Sequence, residues 1–321
     1  MDVKEYVTIP GFSCRLGNHL FQIASVMGYS SQHQIPVLLP SWKHEHWFPH
    51  VREFCTISPH LHVPWDCEYH GDLMRRIGPR FSLPRISIRG FCQQHWLFDH
   101  CVPSVRAAFR PNENVIAQVK NRWFAPTTVS FCGVHVRRGD LKKSRYPIMT
   151  LIEATLLPLH YYEQAMKLMT QREGHMKFYV CSDDLKWCKK AFAPLCSQFD
   201  IIFANGGDPI HDFVLLSLCD HQIIANSSFS WWAAYLNLAP ERSQKSQKQV
   251  IYPIPWRTWP FFDEGLRIQD WHGLHHWSKR RERVVVLNLV LIFCIAVVVH
   301  ATLKYSSRWV WKNCKVLMSS P

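Results

Sequence analysis

The sequence predicts an α/β fold with a parallel sheet. Between residues 129 and 225, apolar runs rich in β-branched and aromatic residues alternate with stretches of helical spacing. This pattern is typical of parallel strands joined by right-handed helical crossovers. Two of the apolar runs lead directly into polar motifs, as expected where ligands bind at the carboxyl ends of strands. A length of 321 residues, of which 47% are apolar, is enough for two domains with cores of their own.

Residues 1–126 are predicted to form the first domain. A helix is expected where apolar residues recur at helical spacing from Leu20 to Met27. Residues 41–90 are rich in His, Trp, Pro and Arg and give no clear pattern. The elements expected here are strands over 6–9, 36–39 and 86–88, a helix over 18–32 and helical spacing within 105–123.

Residues 127–277 are predicted to form the second domain, after a linker-like Ala-Pro-Thr-Thr at 125–128. Strand and helix patterns alternate regularly in this part, which predicts a parallel sheet. The expected strands are 129–136, 177–181, 200–203 and 222–225, and the expected helices are about 159–172, 184–192 and 212–218.

A third segment, residues 278–321, is predicted to contain a transmembrane helix over about 284–303. These twenty residues include no Asp, Glu, Lys or Arg, and at ~1.5 Å per residue such a helix spans about 30 Å, the thickness of a bilayer core. A buried helix of a soluble domain is the alternative, because Asn288 and His300 are polar. Basic residues flank both ends, so the positive-inside rule gives no orientation. The first ten residues are not expected to form a signal peptide.

A basic motif follows the strand predicted over 129–136. It places His135, Arg137, Arg138 and Asp140 within six residues. Guanidinium presents a planar fork of donors that matches phosphate oxygens, and it stays charged when partly desolvated. The motif therefore indicates a phosphate site. The alternative is a strand end whose arginines are solvated or paired to the carboxylate.

A hydroxyl-rich motif follows the strand predicted over 222–225. Asn226, Ser227 and Ser228 suit the N-cap of a helix, and an apolar helical run comes next. Free backbone N–H groups and the positive end of the helix dipole favour phosphate at such a terminus. The motif indicates a second anion site, unless it is an ordinary capped core helix.

These motifs, together with Arg15-Leu16-Gly17-Asn18 and Cys181-Ser182-Asp183-Asp184, resemble in the same order those of the inverting α-1,2-fucosyltransferases that use GDP-fucose. The resemblance spans roughly residues 5 to 255. It implies two Rossmann-like domains that face one another (the GT-B arrangement), with the acceptor on the side of the first domain and GDP-fucose in the second. One position differs, because the family's first motif usually opens with glycine and this chain has Cys14, whose Cβ makes a positive φ less accessible.

The resemblance implies a galactoside 2-α-L-fucosyltransferase, a hexosyltransferase that transfers fucose from GDP-β-L-fucose to the 2-hydroxyl of a terminal galactose on a glycan, with inversion. The catalytic candidates are Arg137 at the pyrophosphate, with His135 and Asp140 as candidate bases beside Asp212. The candidates for binding GDP-fucose are Arg138, Asp183, Asn226, Ser227, Ser228, Phe229, Arg15, Gly17 and Asn18, the last of which is expected to face fucose or acceptor.

No metal or other cofactor is expected, because the chain has no Asp-x-Asp triplet of the kind that holds a divalent ion on a diphosphate. Two other functions stay open at this point. One is a fucosyltransferase that acts on a different glycan or on a protein hydroxyl. The other is a catalytically decayed, membrane-anchored glycan-binding protein, which Cys14 favours and the intact arginine motif opposes.

The net charge of +13 does not indicate nucleic-acid binding, since Lys and Arg are scattered and form no basic stripe with interleaved aromatics. A basic chain fits an anionic sugar nucleotide and an anionic membrane, and a single-pass Golgi membrane protein is expected. None of the twelve cysteines lies in a Cys-x-x-Cys pair, which argues against zinc. Disulfides are expected at Cys55–Cys67 and Cys188–Cys196, whereas Cys132 and Cys181 are expected to be buried thiols.

Overall fold

The described part of the chain is an α/β fold in which the strands pair in parallel. The computed structural model describes residues 5–59, 61, 68–70, 85–125, 127–139, 141, 156–204, 207–239, 248–256 and 263–276. The predicted α/β class with a parallel sheet is confirmed.

The strands are β1 (Tyr6–Thr8), β2 (Leu38–Leu39), β3 (Thr56–Ile57), β4 (Glu68–His70), β5 (Arg85–Arg89), β6 (Ser130–Val136), β7 (Met176–Ser182), β8 (Asp200–Phe203), β9 (His221–Ile223), β10 (Val250–Ile254) and β11 (His272–His275). The α-helices are α1 (Leu16–His33), α2 (Val51–Phe54), α3 (Val102–Ala108), α4 (Glu113–Trp123), α5 (Leu159–Glu173), α6 (Leu185–Phe192), α7 (Pro209–Leu218) and α8 (Ser228–Leu236). Short 3-10 helices lie at Glu45–Trp47, His95–Leu97, Asp99–Cys101, Ala193–Ser197 and Glu264–Leu266.

The largest sheet has the strand order β11-β10-β9-β6-β7-β8. Alternate residues of the interior strand β6 enter two different cores. Cys132 and Val134 pack in the core that contains Met166 of α5, whereas Phe131 packs in the core that contains Phe213 of α7. Burial on both faces explains why this strand reads as a nearly continuous apolar run rather than an alternating one.

The first half of the chain contributes a three-stranded sheet of order β1-β5-β4 and the pair β2-β3. Helix α1 follows β1 and is buried along most of its length up to Tyr29. It ends at Gln34, which takes the left-handed conformation and donates its backbone N–H to Ser30 O. The loop of residues 9–15 therefore connects the carboxyl end of β1 to the N-terminus of a well-anchored helix.

Aromatic side chains join the start of α1 to the start of α8. The ring of Phe21 lies 4.7 Å from that of Trp231 and 5.0 Å from that of Trp232. Phe98 stacks on Trp232 at a centroid distance of 5.4 Å, and all four residues are buried. One core thus contains residues from both halves of the chain, and the predicted domain boundary at residues 126 and 127 stays a prediction.

The predicted transmembrane segment at 284–303 lies outside the described residues. Among the residues that the structure does describe, no helix has both the length and the apolar character needed to cross a membrane.

The predicted Cys188–Cys196 disulfide is wrong, because both thiols are free. Cys188 is buried in the core beside β7, where burial raises the pKa of its thiol to about 11. Cys196 is exposed and donates from Sγ to Phe192 O. Cys132 and Cys181 are buried thiols, as predicted. The pair Cys55–Cys67 includes a residue outside the described part of the chain.

Candidate active site

A cavity of about 780 Å³ lies at the carboxyl ends of strands from the six-stranded sheet, the three-stranded sheet and the pair β2-β3. Its walls are the loops that follow β1, β2, β6, β7, β8 and β9, and the N-termini of α1, α6, α7 and α8 border it. The lining residues are Cys14, Arg15, Leu16, Gly17, Asn18, Lys43, His44, Trp47, His135, Arg137, Ser182, Asp183, Leu185, Gly207, Asp208, Pro209, Asp212, Ser227, Ser228 and Phe229. Several helix N-termini around one cavity provide a positive potential that favours an anion.

Arg137 projects from the end of β6 into this cavity. Its Nη1 donates a hydrogen bond to Ser227 Oγ over 3.3 Å. Ser227 precedes the first residue of α8 with an extended backbone, and its side chain makes no capping hydrogen bond to the helix. The two predicted anion motifs therefore meet, with a guanidinium beside a helix N-terminus that no side chain caps.

The N-termini of α1 and α8 are in close contact at Gly17. A Cβ at this position would lie 2.5 Å from the backbone nitrogen of Phe229 and 2.5 Å from the carbonyl carbon of Ser228. The hydroxyl of Ser228 donates to Asn18 Oδ1 over 2.8 Å, and Gln93 Nε2 donates to the same oxygen over 2.9 Å. Only glycine permits this approach, so Gly17 acts by letting the two helix ends meet.

Cys14 takes the left-handed conformation, with a φ of 67°, on the loop that leads into α1. Residue 14 therefore has the positive φ that a Cβ makes less accessible. The chain adopts the conformation despite a local cost of roughly 1–2 kcal/mol, because the flanking β1 and α1 are anchored in the core. Arg15 lies next to it at the N-cap of α1 and lines the cavity.

Asp183 supports the loop that carries Arg137 and also lines the cavity. Its Oδ1 accepts a hydrogen bond from the backbone N–H of Arg138 over 2.8 Å. A Cβ at residue 139 would lie 2.8 Å from Asp183 Oδ2, so Gly139 is needed for this approach. The carboxylate therefore fixes the backbone of the arginine motif.

Arg138 does not line the cavity. Its guanidinium carbon lies 3.6 Å from the centroid of the Trp187 ring, and its Nε lies 3.4 Å from Asp184 Oδ2. The structure thus gives Arg138 partners at the start of α6, and the contact with the nucleotide that the sequence predicts stays a prediction. Asn226 is buried just before Ser227 and also stays outside the cavity lining.

Two of the three candidate bases lie in the described part of the cavity, and they differ in protonation. Burial lowers the pKa of His135 to about 4, with Asp183 opposing and Arg137 adding to this shift, so the imidazole is neutral at pH 7. Burial, together with the charge of Asp208, raises the pKa of Asp212 to about 7. Asp212 is therefore the carboxylate whose charge changes near neutral pH. Asp140 lies outside the described residues.

The sequence did not predict the part of the cavity formed after β2 and β8. Lys43, His44 and Trp47 come from the stretch that gave no clear pattern, and Asp208 caps α7 by accepting from Ile210 N. Burial and neighbouring positive groups lower the pKa of His44 to about 4. The signal that could have found these residues is the concentration of aromatic and His residues directly after a strand.

Within the described ranges, no group of three or more His, Cys, Asp or Glu side chains is arranged to hold a metal ion. The absence of a metal from the reaction stays a prediction from the sequence.

The model of glycosyl transferase family 11 matches residues 13–241, which include every lining residue of the cavity. The chain belongs to this family. Its curated relatives include galactoside 2-alpha-L-fucosyltransferase SEC1 from Bos taurus, 26% identical over 236 residues that cover 69% of this chain and 62% of the relative. Galactoside alpha-(1,2)-fucosyltransferase 1 from Bos taurus is 28% identical over 245 residues, 69% and 64% of the two chains.

An alpha-1,2-colitosyltransferase from Escherichia coli is 32% identical over 168 residues, which cover 52% of this chain and 54% of that protein. The family 11 chain described here thus spans less than two thirds of the length of these relatives. Among solved structures, POFUT1 in complex with GDP-fucose has a TM-score of 0.46 at 12% identity, covering 78% of this chain and 98% of that one. The fucosyltransferase NodZ from Bradyrhizobium has a TM-score of 0.48 at 14% identity, covering 72% and 93%.

Proposed function

We propose that this chain transfers L-fucose from GDP-β-L-fucose to the 2-hydroxyl of a terminal galactose on a glycan, with inversion at the anomeric carbon. The observation that carries the proposal is the contact between Arg137 and Ser227 at the N-terminus of α8. It builds a diphosphate site in a cavity of the size that holds a small-molecule ligand. Membership of family 11, together with the activities that the Bos taurus relatives are named for, supports fucose as the transferred sugar and galactose as the acceptor.

The donor's diphosphate lies against Arg137, Ser228 and the free N–H groups at the start of α8 in this proposal. The guanidinium and the helix N-terminus both present hydrogen-bond donors that carry positive charge. Together they stabilise the GDP leaving group, which gains negative charge as it departs. Asp183, at the end of β7, accepts a hydrogen bond from ribose or guanine, and Arg15 and Asn18 face the fucosyl end.

The reaction forms a bond between the acceptor oxygen and the anomeric carbon while the bond from that carbon to the β-phosphate oxygen breaks. The bonding electrons leave with the phosphate oxygen, where Arg137 stabilises them. Asp212 accepts the proton of the attacking hydroxyl, because it is the cavity carboxylate with a pKa of about 7. Attack from the face opposite the diphosphate gives inversion.

We also propose the GT-B arrangement of two Rossmann-like domains, residues 1–126 on the acceptor side and 127–277 on the donor side. The separate three-stranded and six-stranded sheets on either side of this boundary support it. The test is co-expression of residues 1–126 and 127–277 as two separate chains, which should associate through their shared core and bind GDP. An insoluble product that binds no GDP would count against the division.

A single-pass location in the Golgi membrane, with residues 284–303 as the span, completes the proposal. The apolar run and its basic flanks support it. A tag at the N-terminus of the chain in sealed microsomes should resist protease until detergent is added. Digestion without detergent would place the catalytic part in the cytosol.

The function is tested with the full chain, radiolabelled GDP-fucose and a panel of acceptors that includes β-galactosides, N-glycan cores and a folded protein domain. Transfer to the galactosides, with the label released by an α-1,2-specific fucosidase, is the expected result. If only the core glycan or only the protein is labelled, that molecule is the acceptor and the proposed galactoside is not. Binding of galactosides without any transfer or donor hydrolysis would indicate a decayed enzyme.

A further inference from the structure

The contacts of the cavity divide its lining into two chemically different ends. At one end, Arg137 and Ser227 lie beside the start of α8, and this end suits a diphosphate. At the other end, the segment after β2 meets the start of α7, since Phe48 packs edge-on against Phe213 at 5.9 Å. We call this second end the aromatic end. Its residues are Lys43, His44, Trp47, Asp208 and Asp212.

A pair of stacked rings forms one wall of the aromatic end. The rings of His44 and Trp47 are 4.8 Å apart at an interplanar angle of 15°, and both side chains are half-buried. His44 is neutral at pH 7, because burial, His19 and Lys43 hold its pKa near 4. The stacked pair is therefore uncharged at pH 7, and the exposed Lys43 precedes it in the sequence.

The core fixes this wall next to the carboxylates of α7. Phe48, the neighbour of Trp47, is buried and packs edge-on against Phe213, the neighbour of Asp212, at 5.9 Å. The backbone N–H of Asn112 donates to Trp47 O over 2.8 Å. Trp47 and Asp212 thus border the same space from two anchored elements.

At the aromatic end two carboxylates outnumber the single ammonium of Lys43, so the charges there disfavour an anionic ligand and suit a neutral one. Two carboxylates, Asp208 and Asp212, repel each other and would repel a phosphate. A neutral sugar fits, because its hydroxyl groups donate to carboxylates while its C–H faces pack on aromatic rings. Few precisely placed polar groups beside aromatic walls are the usual make-up of such sites.

We propose that the aromatic end binds the terminal sugar of the acceptor, a neutral hexopyranose whose C–H face packs against the stacked rings of His44 and Trp47 and whose hydroxyl groups donate to Asp208 and Asp212. The proposal rests on the proposed function, since it takes the other end of the cavity for the GDP part of the donor. It makes Trp47 a determinant of acceptor affinity and directs the attacking hydroxyl toward Asp212.

The test compares three variants of the full chain. Trp47→Leu keeps apolar volume against the core but removes the flat ring, and Trp47→Phe keeps a ring. Trp96→Leu is the matched control, because Trp96 is also half-buried, packs on the same core and lies on a three-residue 3-10 helix, but it does not line the cavity. The acceptor KM and kcat with a galactoside are measured for each, and GDP affinity is measured by calorimetry to show that the donor end is folded.

Trp47→Leu should raise the acceptor KM about tenfold or more, with a smaller fall in kcat, and Trp47→Phe should raise it by less than about threefold. Trp96→Leu should match the wild type. A KM for Trp47→Leu within about twofold of the wild type, or equal effects of Leu and Phe, would overturn the proposal. If Trp47→Leu does not bind GDP, it is taken as unfolded. The acceptor KM of His44→Leu is then measured instead, and a value within about twofold of the wild type would overturn the proposal. Failure of the wild type to bind GDP or to transfer fucose would instead overturn the proposed function.

Discussion

Arg137 and Ser227 lie 90 residues apart in the sequence, and the Nη1 of the arginine donates to the Oγ of the serine over 3.3 Å. Parallel pairing of β6 with β9 brings their strand ends side by side, from Cys132↔His221 to Val134↔Ile223. The contact holds the guanidinium at the N-terminus of α8, and the side chain of Ser227 makes no capping hydrogen bond to that helix. An anion at this point is attracted both by the guanidinium of Arg137 and by the positive end of the α8 dipole.

Gly17→Ala should separate the N-termini of α1 and α8. The added Cβ would lie 2.5 Å from backbone atoms of Ser228 and Phe229, which cannot move without moving the start of α8. We expect the free energy of unfolding to fall by roughly 1–3 kcal/mol, and GDP affinity to fall with it. Urea denaturation and calorimetry measure the two. Ser31→Ala, at an exposed position of the same helix, should change neither, and a Gly17→Ala variant with unchanged GDP affinity would contradict the role of this approach.

The rate of transfer should rise with pH through about 7. Asp212 must be ionised to accept a proton, and burial and Asp208 raise its pKa to about 7 while Arg122 opposes the shift. Below that pH, kcat should fall about tenfold per pH unit. Asp212→Asn should remove most activity and this pH dependence together, whereas Asp270→Asn, at an exposed site, should keep both.

The same residue should make the fold less stable as pH rises. The pKa of Asp212 is raised on folding, so the folded state binds the extra proton. Its contribution to stability is complete below about 3.8 and is lost as pH rises through about 7. Asp212→Asn should therefore be more stable than the wild type at pH 8, as measured by thermal unfolding. If Asp212→Asn is both less stable than the wild type at pH 8 and fully active, Asp212 is neither the proton acceptor nor a carboxylate whose ionisation destabilises the fold.

Cys14→Gly should stabilise the chain relative to Cys14→Ala. Both variants remove the thiol, but only glycine takes a φ of 67° without a Cβ penalty. We expect the glycine variant to be more stable by about 1 kcal/mol, after the greater freedom of glycine in the unfolded chain is allowed for. Equal denaturation midpoints would show that the left-handed conformation carries no cost here.

Activity should survive an excess of EDTA. Arg137 and the start of α8 carry the charge of the departing diphosphate in this account, so a divalent ion has no necessary role there. Initial rates before and after chelation measure this, with manganese added back as the control. Complete loss on chelation, followed by recovery with manganese, would mean that a metal ion holds the diphosphate.

The sequence predicted the second half of the fold well because strand and helix patterns alternate regularly there. The predicted strand at 200–203 matches β8, and the predicted helix at 159–172 differs from α5 by one residue. The strand β10 was missed, since Pro253 lacks the N–H that an interior strand needs. Its pairing with β9 covers only Val250 and Ile251, so the proline lies where only β11 is its neighbour.

The sequence predicted the site residues that are charged or polar and directly follow an apolar strand pattern. Arg137, Ser227 and Asp183 follow apolar runs, and the parallel order of the strands makes their ends meet. The position of Arg138 over Trp187 could not be predicted, because it depends on which side of the loop each arginine leaves. The sequence did not predict the aromatic end. His44 and Trp47 are positioned by the short strand β2 and a three-residue 3-10 helix, and neither element is long enough to show a periodic pattern of apolar residues.

The most direct test of the central claim is the turnover of Arg137→Ala with GDP-fucose and a galactoside acceptor. Loss of charge-assisted donors that strengthen as GDP departs should lower kcat on the order of 100-fold or more. Arg137→Lys should recover little, because an ammonium lacks the planar fork, and Arg172→Ala, at an exposed site, should match the wild type. If Arg137→Ala, with an unchanged thermal midpoint, keeps more than about a tenth of the wild-type kcat, the diphosphate does not bind at Arg137 and Ser227.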